Sequence, residues 1–187
     1  MLTWAGVGTS RLEAVRVVAG DRGIRATGSI VAAPTEDAPA FSASYTLSTD
    51  EGGVIGRLTV RITTASGERH VALSRSEEGI WLVDHGAGAA RTDFDGAADV
   101  DLAYSPLFNA LPVRRLGLHR TPAEHELPMV FVHLPSLAVE LTRQTYRTVS
   151  VGAEQSVVAF ESERFDAELT VDSEGLVIAY PGLAQRL

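Results

Sequence analysis

Four aspartates, Asp93, Asp95, Asp99 and Asp101, fall within nine positions of one another. Carboxylates at that density are the hard oxygen donors that a divalent cation requires. Their spacing is not that of an EF-hand loop, which needs a glycine and a terminal glutamate in register. Two other readings need no metal. The aspartates can act as caps and Asx turns in a solvated loop, or one of them can pair with an arginine. Arg114 and Arg115 are candidates, immediately after Leu111, Pro112 and Val113. Read as strand residues, adjacent arginines point to opposite faces. One would reach inward toward the acidic pair, the other outward or toward an anionic ligand such as a phosphate or sugar head group.

Catalytic constellations are sparse. The histidines are His70, His85, His119, His125 and His133, and none stands in an HExxH spacing. There is no GxSxG elbow, no P-loop and no GxGxxG turn. Glu124 with Glu126, and Glu161 with Glu163, have the look of paired carboxylates for glycoside hydrolysis. The same i, i+2 spacing describes one solvated face of a strand, which is the preferred reading. His133 alternates with Phe131 and Met129 and reads as a wall residue. Cysteine is absent, which excludes disulfides, thiol nucleophiles and Cys-ligated metals. All 16 basic residues are Arg, so Schiff-base chemistry through lysine is excluded too. No cofactor, no metal and no catalytic residue is expected.

The elements that must position these residues belong to a globular chain. It has 187 residues, 45% hydrophobic and 21% charged, with mean hydropathy +0.08. That length suits one domain, 1–187, able to bury roughly 70% of its unfolded surface. A net charge of -8 argues against nucleic acid and anionic membrane surfaces as partners. No apolar run approaches the roughly 20 residues of a membrane span, and the N-terminus lacks a signal-peptide pattern. The expectation is a cytoplasmic protein with no stable membrane insertion, its oligomeric state open.

Period-two alternation dominates. Runs at 12–18, 24–32, 41–48, 54–64, 69–75 and 79–85 come first, and 129–134, 137–151, 156–162, 165–173 and 176–180 follow. They predict ten or eleven strands in an antiparallel meander. A Gly-Asp-Arg-Gly turn at 20–23 joins the first two, and 34–39 reads as a polar loop. Gly53, Gly79 and Gly175 each sit between an acidic cluster and an apolar strand start, as tight hairpin turns require. Between His85 and Leu118 the alternation stops. Ser105-Pro106 reads as a helix start, Leu107, Phe108 and Leu111 as one apolar helical turn, and Pro112 as its end or the start of another turn. A short helix in an all-strand chain suits a lid or plug. Ala43, Ala72, Ala138 and Ala159, if inward, would leave room for a cavity; a solid core is the other reading.

Several separated runs, in order, resemble the putative glycolipid-binding family of bacterial proteins. They are Asp99, Asp101 and Leu102; Ser105, Pro106, Asn109, Leu111, Pro112, Arg114, Arg115 and Leu116; Pro135, Leu137, Val139, Gln144 and Tyr146; and Val171, Asp172, Gly175, Leu176, Val177, Tyr180, Pro181 and Gly182. Gly79-Ile80-Trp81 also matches. The chain departs from the pattern at Ser105, where Thr is usual, and at Leu183-Ala184, where an aromatic is. The family is similar in fold to bacterial lipoprotein-localisation factors and related lipid carriers. The resemblance implies a curved antiparallel sheet, an unclosed barrel, with one or two short helices over its hollow face and a cavity for a glycolipid or other long-chain ligand.

The resulting expectation is non-enzymatic binding of an amphipathic, lipid-like molecule in an apolar half-barrel. Asn109, Arg114 and Arg115 would contact the head group, with Gln144 and Tyr146 adding polar contacts. Phe108 and Leu111 would plug the mouth, and Asp99 and Asp101 would orient the arginines. The same polar residues could instead lock an irregular loop against the sheet. At the level of the whole protein the alternatives are a protein-interaction module with a solid core, or an enzyme acting on a lipid or sugar.

Overall fold

The structure, a computed structural model, describes residues 1–20, 23–36, 38–163 and 165–187. Its strands are β1 (Leu2–Gly6), β2 (Arg11–Gly20), β3 (Gly23–Ala32), β4 (Phe41–Thr49), β5 (Ile55–Thr64), β6 (Gly67–Arg75), β7 (Trp81–Asp84) and β8 (Ala89–Thr92). After these come β9 (Asp99–Leu102), the helix α1 (Pro106–Arg115), β10 (Glu124–Val132), β11 (Val139–Ser150), β12 (Gln155–Ser162), β13 (Phe165–Asp172), β14 (Val177–Tyr180) and β15 (Ala184–Arg186). All fifteen strands form one sheet, in the order β8 to β1 and then β15 down to β9. Neighbours are antiparallel except β9 and β10, which are parallel. The strands at the two ends of the chain, β1 and β15, pair at the middle of the sheet. Its two edges, β8 and β9, are consecutive in sequence but not paired with each other, so the sheet is unclosed. Residues 93–98 carry the chain from one edge to the other through a 3-10 turn at Phe94–Gly96. This connection is held from inside, because Trp81 Nε1 and Arg75 Nε both donate to the Ala97 carbonyl.

Among the described residues the sheet has fifteen strands, not the ten or eleven expected, and four of them have no counterpart among the eleven alternating runs. The extra ones, β1, β8, β9 and β15, are three to five residues long, too short for alternation to register. All four β9 residues are buried, although two are aspartates. The longer strands follow their alternation. In β4, Phe41, Ala43, Tyr45 and Leu47 are buried between exposed serines and a threonine. In β5, Leu58, Val60 and Ile62 are buried, while Arg57 and Arg61 are exposed. Of the four alanines expected to face inward, only Ala43 is buried. Ala72 and Ala159 fall out of phase with their buried neighbours Val71, Leu73, Val158 and Phe160, and Ala138 precedes β11, exposed. The turn at 20–23 includes Asp21 and Arg22, and the loop at 34–39 includes Asp37; all three lie outside the described residues.

The three glycine turns share one geometry. The N–H groups of Asp50, Ser76 and Asp172 donate to the carbonyls of Val54, Ile80 and Leu176, and those of Gly53, Gly79 and Gly175 donate back. The side-chain oxygen of the first residue also accepts the N–H of the last. The glycine φ values are +80°, +86° and +75°, the left-handed region that this bulged hairpin demands.

Another glycine is required for space alone. Gly28 pairs with Tyr45 across β3 and β4, and the Tyr45 ring lies over it. A Cβ at Gly28 would stand 2.3 Å from Tyr45 Cζ. The bare backbone lets the ring cross β3 and reach Glu13 in β2. Gly28→Ala is expected to lower the unfolding free energy by about 2 kcal/mol in urea titration, as overpacked sites do. Exposed Thr27→Ala should change it by no more than about 0.5 kcal/mol. Equal midpoints for the two variants would contradict the crossing of the ring.

Candidate functional site

Helix α1 runs inside the curve of the sheet. Pro106 through Val113 are all buried. Leu107, Phe108 and Leu111 pack into a cluster with inward residues of β2–β7. Ala110 and Val113 pack into a second cluster with Met129, Tyr146, Val158, Phe160 and Leu169. The helix thus divides the interior, as a helix apolar all round must when it is surrounded. It also continues past Pro112, which was expected to end it or to start a second turn. A proline inside a helix costs about 3 kcal/mol, and burial of the surrounding turns offsets that. The helix stops instead at Gly117, φ +68°, where Gly117 N donates to Arg114 O and Leu118 N to Val113 O.

Arg114 and Arg115 are therefore the last helical turn and not strand residues. Arg115 Nε donates to Asp99 Oδ1 at 3.2 Å, and its Nη2 bonds Oδ2. Burial raises the Asp99 carboxyl, and the Arg115 charge opposes that rise. Arg114 bonds the Glu174 carbonyl. Two of the glycine hairpins close on this end, with Gly53 against Arg115 and Gly175 against Arg114 and His119. The opposite end rests on a second buried carboxylate. Glu13 Oε1 accepts from Tyr45 Oη and from Ser105 Oγ, each at 2.5 Å. Ser105 makes no side-chain cap to its own helix. Glu13 Oε2 has no hydrogen-bond partner among the described residues.

The remaining polar residues form a relay. Asn109 Nδ2 donates to Tyr146 Oη at 3.0 Å, Tyr146 Oη to Gln144 Oε1 at 2.9 Å, and Gln144 Nε2 to Asp101 Oδ2 at 2.7 Å. Every link points the same way and ends on a carboxylate, the arrangement that strengthens such chains. Burial pushes Asp101 up to about 6. The four aspartates therefore do not converge. Asp93 caps the 3-10 turn, Asp95 pairs with Arg143, Asp99 with Arg115, and Asp101 ends the relay.

This relay ends at a pocket of about 430 Å³, within the size range of small-molecule sites. Asp101, Ser105, Asn109 and Gln144 line it from β9, the start of α1 and β11. Rings form one wall. Phe160 lies 5.2 Å from Tyr146 and 5.9 Å from Tyr180, and Phe165 lies 5.7 Å from Tyr180. Phe131, His133 and Glu140 line another side, with His133 Nε2 bonded to Glu140 at 2.7 Å. Leu141 and Phe165, both about 40% exposed, lie on its outer side.

Among the expected ligand contacts, Asn109 and Gln144 line the pocket, together with Asp101 of the expected polar network. Tyr146 stands behind them, fully buried. Arg114, Arg115, Phe108 and Leu111 do not line it. Phe108 and Leu111 are not at a mouth but in the core, where Phe108 meets the Tyr45 ring edge-on at 5.3 Å. Glu13 escaped notice. Its signal is a charge in phase with buried Val15 on an alternating strand.

Two outcomes follow from these carboxylates. Arg115→Ala leaves Asp99 buried and unpaired and should cost about 3 kcal/mol in chemical denaturation; adding Asp99→Asn should restore part of it. A wild-type midpoint for Arg115→Ala would refute the pairing. Burial pushes Glu13 up from 4.5 to about 7, against the opposing bonds from Ser105 and Tyr45. The folded state then holds a proton that the unfolded chain has released. Stability is full below about pH 4.5 and falls as pH rises to about 7, by roughly 3 kcal/mol. Urea titrations at pH 5 and pH 8 should show this fall in the wild type and a smaller one in Glu13→Gln.

Among the described residues no helix is long and apolar enough to cross a membrane. A family model described as "Putative glycolipid-binding" matches residues 1–186. No curated protein matches. The crystal structure, at 1.80 Å resolution, of a DUF1089 family protein (PA1994) from Pseudomonas aeruginosa is similar. It shares 29% identity and a TM-score of 0.76 over 94% of this chain and 92% of that one. With almost every residue within the family model, and with the motif residues of β9, α1 and β11 meeting at one relay and pocket, the chain belongs to the family described as "Putative glycolipid-binding".

Proposed function

We propose that this protein binds an amphipathic, lipid-like molecule without transforming it, as one domain spanning 1–187. The observation that carries this reading is the pocket's division into two chemistries. A buried polar floor of Asp101, Gln144 and Asn109 meets a wall of Phe160, Tyr180 and Phe165 that runs outward to Leu141. An amphiphile satisfies both, its polar part on the floor and its chain along the rings. Each methylene taken from water contributes about 0.8 kcal/mol, so even a partly enclosed chain yields useful affinity. In this reading Asp101, Asn109 and Gln144 touch the ligand, and Tyr146 positions the two amides. Phe108, Leu111, Arg114 and Arg115 hold the helix that presents them. The family's description supports the reading in the same sense.

Native mass spectrometry of freshly purified protein, with organic extraction and lipid analysis, tests it. The expected result is a stoichiometric mass excess that extracts as one lipid class. A clean apo mass, with no thermal shift across a lipid panel, would overturn it in favour of a protein-interaction module.

A further inference from the structure

The pocket's polar groups differ in what they leave for a ligand. Its serine and threonine hydroxyls are already spent on protein acceptors. Ser105 Oγ donates to Glu13, Thr142 Oγ1 to Met129 O and Ser162 Oγ to Phe165 O. One N–H of each floor amide is spent in the relay. What remains, the Tyr104 hydroxyl included, is neutral or negative apart from His133, whose Nε2 is engaged with Glu140. The second N–H groups of Asn109 and Gln144 and the Tyr180 hydroxyl carry no charge. Asp101, Glu140 and Glu163 all line the pocket. Among the described residues no arginine lines it. Arg11 stands behind Tyr104, its guanidinium 4.7 Å over that ring and bonded to the Leu183 carbonyl.

Asp101 is the decisive group. It is 7% exposed, faces the pocket, and has no ion-pair partner among the described residues. A buried carboxylate is costly unless a cation or several donors compensate it. Here Gln144 and the Leu102 backbone amide are its donors. The wall around it is aromatic, and ring faces attract cations by about 0.5–2 kcal/mol each.

We propose that this pocket takes the positively charged head of an alkylammonium amphiphile, head first, with Asp101 as its counter-ion and the chain leaving over Phe165 and Leu141. The proposal rests on the reading of the protein as an amphiphile binder. An ammonium needs acceptors and ring faces, which Asp101 and the aromatic wall offer beside the neutral donors. A phosphate or carboxylate head needs charged donors, which its described walls lack, and would meet three carboxylates. A sugar head needs donors and acceptors in similar number. The orientation reverses that of a carrier that hides the chain and leaves the head at the rim, because here the buried end is polar and the apolar side chains are the exposed ones.

The test compares three amphiphiles with one chain length: decylammonium, decyl maltoside and decyl phosphate. Each is titrated calorimetrically at pH 7.5, below its critical micelle concentration, into the full-length protein. Decylammonium should bind one to one, at least about tenfold more tightly than either of the others, since one charge-assisted contact is worth about that much. Asp101→Asn should lower the ratio of decylammonium to decyl maltoside affinity at least about tenfold, removing that preference. If Asp101→Asn fails to fold by circular dichroism, Leu141→Arg at the exposed rim serves instead. It should lower the ratio of decylammonium to decyl maltoside affinity about tenfold, since its charge repels only the cation. Equal or tighter binding of the maltoside or the phosphate would overturn the cationic head while leaving amphiphile binding intact. An unchanged ratio in both variants would overturn the role of the pocket's charge. Binding of none of the three would overturn the amphiphile reading and this inference with it.

Discussion

A ten-residue helix with apolar groups on every side cannot rest on a surface; it has to be enclosed. Pro106 through Val113 are buried without a break, and the sheet supplies the enclosure by curving around them. One side of the helix faces the β2–β7 half and the other the β10–β14 half, so neither half completes its core without it. The same demand accounts for a helix that runs through Pro112. Fully burying one Leu or Phe contributes about 1.5–3 kcal/mol, and several are buried here, against a proline penalty of about 3 kcal/mol.

Enclosing the helix brings polar chain with it, because both its ends and the strand leading into it lie inside. Three buried carboxylates mark those places, and each is compensated differently. Asp99 has the Arg115 guanidinium. Glu13 has two hydroxyls on one oxygen and, among the described residues, no hydrogen bond on the other. Asp101 has an amide relay and an open side on the pocket. The first is an ion pair that ties the helix end to β9, and the second ties the helix start to β2 and β4. The third differs in facing a space that another molecule can enter. The pocket lies where the helix enters the sheet, since that is where buried backbone, polar side chains and incomplete packing coincide.

How much of this was legible from the residues depends on how local the cause is. The alternation of Phe41, Ala43, Tyr45 and Leu47 shows on the page and in the sheet, because a strand's two faces are set by its own pleat. The turns at Gly53, Gly79 and Gly175 are equally local, since a positive φ is a property of one residue and its neighbours. Strands β1, β8, β9 and β15 were not legible, being too short to show a period. Asp99 and Asp101 concealed β9 further, because they are charged residues inside a buried strand. Gln144, Tyr146 and Asn109 could be singled out, but not the order in which they bond.

Sequence alone, then, determined the mainly β character, the hairpin turns, the helix start at Ser105-Pro106 and the family. These follow from torsional preference, period and ordered motifs, all of which act over a few residues. The tertiary structure alone decided that Arg114 and Arg115 bond Glu174 and Asp99 and do not line the pocket, and that Phe108 and Leu111 fill a core. It also decided that Glu13, ninety-two positions away, holds Ser105. The physical reason is that a charge or a ring acts on whatever lies within a few ångströms of it. Which groups come that close is settled by how the sheet closes around the helix, and no spacing along the chain encodes that distance.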